Sequence, residues 1–171
     1  MEKWKTLVRR VDAASDMVGR VASFLLIPLM LIATMEVILR YVFNSPTIWA
    51  WDVNVQLFGV LILFGGAYTY RYDEHVRVDL LIVHLPPRGR AILNLITSFL
   101  FFFSFTVLLI FSSQEALNAF AIKEQFTSVW SPPVYPLKML IPLAVFLFIL
   151  QGVTYVIRDL LIVIHPEGVE K

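Results

Sequence analysis

Four long apolar runs decide what this chain can fold into. They cover about residues 21–42, 51–70, 91–113 and 137–157. Each is close to the roughly 20 residues that a helix needs to cross about 30 Å of hydrocarbon. Strands do not fit, because the runs are continuously apolar and do not alternate. Composition agrees: 58% of the 171 residues are hydrophobic and 16% are charged, against about 25% charged in a soluble domain. The expectation is an all-α integral membrane protein, a single membrane domain over 1–171 with four transmembrane helices. The first run is a poor signal peptide, since it is long, no small-residue cleavage site follows it and Arg40 leads straight into the second run.

Lys and Arg placement orients such a chain. Ten of these residues fall in 1–20, the 71–90 loop and the C-terminal tail, against at most three on the opposite side. Both termini are therefore expected in the cytoplasm. Trp49, Trp51 and Trp130 then lie at the outer interface with Tyr41 and Tyr135, where an aromatic belt forms. A net charge of +1 provides no basic field for a nucleic-acid partner. With no Cys in the chain, disulfides, thiolate nucleophiles and Cys-ligated metals are excluded.

The segments between the runs carry their own signals. Residues 1–16 place Trp4, Leu7, Val8 and Val11 on one helical face, with Lys3, Lys5, Arg9 and Arg10 between them. That pattern suits an amphipathic helix in the cytoplasmic lipid headgroups, or a plain basic anchor. In the 71–90 loop, Asp79 can cap a short interfacial helix over 80–85, which Pro86 and Pro87 end. Its apolar residues need the bilayer surface or another subunit. The 114–136 connection begins with residues able to prolong the third helix and ends with Pro132, Pro133 and Pro136. Pro28 and Pro142 lie inside helical windows, where kinks are expected.

The junction of the first two runs holds Glu36, Arg40 and Asp52. Glu36 and Arg40 are one turn apart in the favourable order for an ion pair. Residues 57–70 alone reach only about 21 Å, so Asp52, Asn54 and Gln56 must enter the outer edge of the membrane. Carboxylates there need protein partners. Glu36 and Arg40 continue a stripe with Gly19, Ala22, Leu26, Leu29 and Ala33; Asp52 and Gln56 continue another with Gly59, Leu63, Gly66 and Tyr70. The short connection makes the two helices antiparallel, and Arg40 is expected to bridge Glu36 and Asp52. This predicts a structural polar cluster of Glu36, Arg40, Asp52 and Gln56. Similar stripes hold Asn94, Thr97, Phe101, Ser104 and Glu115 on the third run, and Ala144, Gln151, Thr154 and Arg158 on the fourth. Such faces either pack the bundle or meet a partner protein.

Catalytic chemistry is not encoded in any recognisable pattern. His75, His84 and His165 all lie outside the runs, which removes a bis-His haem site. No phosphate loop, zinc motif or nucleophile–base set appears, so neither an enzyme nor a cofactor is expected. Two transport or assembly alternatives stay open: a self-sufficient proton-coupled exporter using Glu36, and a membrane anchor for another complex. Glu36 is shallow for the first, and Arg40 would hold it ionised.

The segments "LRYVFNSPTIWAWD" (39–52), "LFGGAY" (63–68) and "HVRVDLL" (75–81), with Leu85-Pro86 after them, resemble the small membrane subunit, DctQ-type, of tripartite ATP-independent periplasmic (TRAP) transporters. The resemblance is strong over about 20–90, and Asp52 stands where that family usually has glutamate. It implies a small scaffold subunit in a bacterial inner membrane, bound noncovalently to a large membrane subunit and served by a periplasmic substrate-binding protein. The complex would import organic acid anions on a Na⁺ gradient, the large subunit holding the substrate and ion sites. Trp49, Trp51, His75, Arg77, Asp79 and Trp130 are the candidate partner or interface residues, and lipids surround the rest.

Overall fold

The computed structural model describes residues 2–71 and 87–164. They form five helices: α1 (Glu2–Ser23), α2 (Leu26–Tyr41), α3 (Ala50–Arg71), α4 (Pro87–Ile122) and α5 (Tyr135–Ile164). No strand occurs among the described residues; a single bridge pairs Gln125 with Pro133. Among the described residues, three stretches are long and apolar enough to cross a membrane, over Val8–Tyr41, Ile92–Ile122 and Tyr135–Val163, and Ala50–Gly66 is a shorter apolar one. The loop segment 80–85, with the helix expected there, lies outside the described residues.

Pro28 explains why α1 and α2 are two helices. Its ring clashes with the carbonyl of Phe24 four residues back, and it has no N–H to donate to that oxygen. That carbonyl instead takes the Ile27 N–H at 3.2 Å, and Leu25 bonds three residues back to Ala22 at 2.9 Å. The chain tightens and turns there. α1 therefore runs further than the 1–16 expected, and ends only at this break.

α4 has 36 residues, about 54 Å of helix, longer than the roughly 30 Å of hydrocarbon a spanning helix has to cross. Its last turn closes on Lys123, held at φ 48–51° like Asn44 and Ser131 (51° for Lys123). Lys123 N–H reaches Phe120 O at 3.3 Å and Glu124 N–H reaches Ala119 O at 2.9 Å. These two bonds satisfy carbonyls that the helix end would otherwise orphan. The chain then forms a small hairpin over 124–134, with Phe126 N–H to Pro132 O and Val134 N–H to Glu124 O, both 2.9 Å.

α4 packs along α5, α5 against α3 and α1, and α3 against α1 and α2. What is buried is small or polar: Ala22, Ala50, Ala116, Ala119, Ala144 and Val145, with Asp12, Ser15, Asp52, Gln151 and Thr154. Large apolar side chains such as Met30, Phe99, Phe103 and Phe111 face outward. A water-soluble bundle is built the other way round. In lipid, burying leucine gains little, and close backbone approach plus hydrogen bonds hold helices together.

Glycines allow that approach. A Cβ on Gly19 would lie 2.4 Å from the Tyr68 ring, one on Gly66 2.7 Å from Phe148, and one on Gly152 2.5 Å from Phe101. The rings so admitted form a stack: Phe101 to Phe105 at 4.3 Å and Phe105 to Phe148 at 5.3 Å between centroids. This apolar, aromatic layer fills the middle of the α3–α4–α5 bundle.

Candidate functional site

Polar side chains gather at the two ends of the bundle. At the end carrying the 42–49 and 123–134 connections, Glu36 uses both carboxylate oxygens. Arg40 donates to Oε1 from Nε at 3.1 Å and from a terminal nitrogen at 2.6 Å. Thr47 donates to Oε2 from its backbone N–H at 3.1 Å and from Oγ1 at 2.5 Å. The Thr47 hydroxyl oxygen accepts the Ala50 N–H at 3.4 Å. Glu36 thus ties the end of α2 to the turn that starts α3.

Asp52 sits in the first turn of α3, where a carboxylate complements the helix dipole. It is buried, at 3% exposure, and accepts the Ser128 hydroxyl at 2.5 Å. Ser128 in turn accepts the Ser131 N–H at 3.1 Å and its carbonyl accepts the Ser131 hydroxyl at 2.6 Å. Gln56 reaches the Pro133 carbonyl at 3.4 Å. Lys138 joins Glu115 at 2.7 Å and Glu124 at 2.6 Å, linking α4, the hairpin and α5.

This corrects the expected bridge from Arg40 to Asp52. Arg40 pairs with Glu36, and Asp52 turns to Ser128 in the hairpin before α5. The stripe of Asp52, Gln56, Gly59 and Gly66 faces α5, since Gly59 meets Leu137 and Gly66 meets Phe148. A short connection makes α2 and α3 neighbours but leaves free which face of α3 turns towards α2. A double-mutant cycle on Asp52 and Ser128 should accordingly show coupling of about 1.5–3 kcal/mol in thermal stability, as for hydrogen bonds to charged groups. Arg40 and Asp52 should be additive; coupling between them would restore the bridge.

The second cluster lies at the opposite end, between α1 and α5. Asp12 accepts from Arg158 at 2.6 Å and from Gln151 Nε2 at 3.1 Å. Ser15 donates to Gln151 Oε1 at 3.1 Å, and Thr154 donates to the Gln151 carbonyl at 2.8 Å. Gln151, Thr154 and Ser15 are at most 1% exposed. Gln151, Thr154 and Arg158 were on the stripe expected for the last helix; Asp12 and Ser15 were missed. A signal for them existed, because 12, 15, 19 and 22 continue the three-and-four rhythm of the Gly19–Arg40 stripe towards the N-terminus.

Trp51 is 76% exposed and Trp130 45%, and Trp49 is partly buried. His75, Arg77 and Asp79 lie outside the described residues. Among the described residues no group of three or more His, Asp or Glu is placed to hold a metal ion. Between the two polar ends, α3, α4 and α5 carry no ionisable side chain other than the tyrosines near their ends. The arrangement braces helices, and among the described residues it places no acidic or basic side chain at mid-depth.

Residues 29–161 match the family described as tripartite ATP-independent periplasmic transporters, DctQ component. Over 63 residues the chain is 38% identical to a protein of Haemophilus influenzae named as a TRAP transporter small permease, covering 37% of this chain and 39% of that protein. Over 61 residues it is 34% identical to the C4-dicarboxylate TRAP transporter small permease protein DctQ of Vibrio cholerae, covering 36% of this chain and 26% of that protein. These matches span well under half the length of either relative.

Proposed function

Because the chain belongs to the family of DctQ components of tripartite ATP-independent periplasmic transporters, we propose that it is a scaffold subunit that transports nothing by itself and braces a large permease. It is a multi-pass protein of the bacterial inner membrane. The large permease binds it noncovalently, receives substrate from a periplasmic binding protein and couples uptake to Na⁺. Organic acid anions are the proposed cargo, a class supported by the C4-dicarboxylate in the name of the Vibrio cholerae relative. The termini face the cytoplasm, in keeping with the Lys and Arg asymmetry.

One observation carries this reading: the ion pairs lie at the two ends of the bundle and an apolar layer separates them. A transporter working alone needs a substrate or ion site near mid-membrane. The exporter alternative loses its main residue, since both oxygens of Glu36 are engaged by Arg40 and Thr47. Open faces for a partner also exist. α2 buries none of its residues. On α3, Trp51, Phe58 and Ile62 are more than half exposed, and a Cβ on Gly65 would meet nothing within 4 Å.

Co-expressed with the large permease of its own transporter, the chain should purify with it from detergent at equal stoichiometry. Purification of the chain free of that permease, under conditions that keep both folded, would refute the subunit reading. A cysteine replacing Ser45 should react with an impermeant maleimide from the periplasm; protection there would reverse the orientation.

A further inference from the structure

Helix α1 has two opposite faces with different work to do. The inner face holds Asp12, Ser15, Gly19 and Ala22, all directed into the protein. Gly19 lies on Tyr68 of α3, while Ser15 and Asp12 lie on Gln151 and Arg158 of α5. The helix therefore crosses from α3 to α5 at one end of the bundle. α2 has 16 residues, about 24 Å, and falls short of a hydrocarbon layer of about 30 Å. The missing length brings the last turn of α1 to the membrane boundary, with Arg20 near it.

The outer face is basic and apolar together. At 100° per residue, Arg9, Arg10, Met17, Arg20 and Val21 fall within an arc of about 120°, and Phe24 follows just past the helix. Met17 is 70% exposed, Val21 60% and Phe24 69%; the Arg20 side chain is 75% exposed, and Arg9 and Arg10 are exposed. Asp16 stands at the edge of this arc, 4.0 Å from Arg20. The other carboxylate of this stretch, Asp12, is turned inward and neutralised by Arg158. Outward apolar side chains need hydrocarbon, and guanidinium groups beside them need an anion at headgroup depth.

We propose that this face of α1 binds the phosphate headgroups of anionic phospholipids, with Arg9, Arg10 and Arg20 pairing to phosphate while Met17, Val21 and Phe24 enter the acyl region. The Asp12–Gln151–Arg158 contacts hold α1 at the angle that presents it. The proposal needs only that the chain sits in a membrane, and it is independent of the transporter's partners and cargo.

The test uses the full chain in nanodiscs of phosphatidylcholine alone or mixed with phosphatidylglycerol, with lipid retention measured by native mass spectrometry and melting followed in parallel. Each arginine near an anionic surface contributes about fivefold in affinity, so replacing all three by glutamine should lower the preference for phosphatidylglycerol roughly 100-fold. Replacing them by lysine should keep most of it, which separates charge from folding. Raised salt should weaken the preference of the native chain. Retained preference in the glutamine variant, a preference indifferent to salt, or equal stabilisation of the native chain by inorganic phosphate would each overturn the proposal.

Discussion

Replacing Gly152 by leucine should lower the stability of the bundle by about 3 kcal/mol, the upper part of the range for overpacked cores. The first added atom already lies 2.5 Å from Cε1 of Phe101. Phe101 cannot swing aside easily, because it stacks on Phe105 at 4.3 Å and meets Phe102 edge-on at 5.4 Å. The backbones of α4 and α5 must separate instead, and the close contact that replaces the hydrophobic effect in lipid is lost. Gly65 is the internal control. Nothing lies within 4 Å of a Cβ there, so Gly65→Ala should leave the isolated chain unchanged or raise its stability by about 0.4–1 kcal/mol. Melting in detergent decides it: equal loss at both positions would mean that glycine matters here only for helix flexibility.

Asp12→Ala should cost about 2–4 kcal/mol. Two losses add. Gln151, fully buried, is left with an unsatisfied amide donor, worth about 1–3 kcal/mol. Arg158 loses its carboxylate; breaking a fully buried pair costs about 3–5 kcal/mol, but the Arg158 side chain is 41% exposed and water recovers most of that. Hydrogen exchange should rise along residues 8–20 before it rises in α4 and α5, because α1 is what the network holds. A melting curve identical to that of the native chain would show that packing on α3 alone fixes α1.

Much of this architecture was legible in the sequence because lipid imposes simple rules. Continuous apolar runs of bilayer length had to be helices, and the rhythm of small and polar residues picked out faces that do pack: Gly19 and Ala22, Asp52 with Gln56, Gly59 and Gly66, and Gln151 with Thr154. Periodicity says which residues share a face; it does not say which neighbour that face meets. The short turn by itself points Asp52 to Arg40, whereas the structure turns it to Ser128 in the hairpin before α5. Ser128 could not be foreseen at all, since it sits in an irregular, proline-bounded hairpin where no period applies. Asp12 and Ser15 were hidden for another reason: on a helix taken to lie at the surface, a polar face reads as solvated, and here it is the buried one.

In the proposed division of labour this chain holds position while another subunit moves the substrate. Uptake into proteoliposomes tests that most directly. The chain, the large permease and the binding protein should together take up an organic acid anion on an inward Na⁺ gradient, and omission of this chain should abolish uptake. The chain alone should show none under either a Na⁺ or a proton gradient. Gradient-driven flux through the isolated chain, lost on Glu36→Gln, would contradict the scaffold role and return Glu36 to the centre of a transport mechanism.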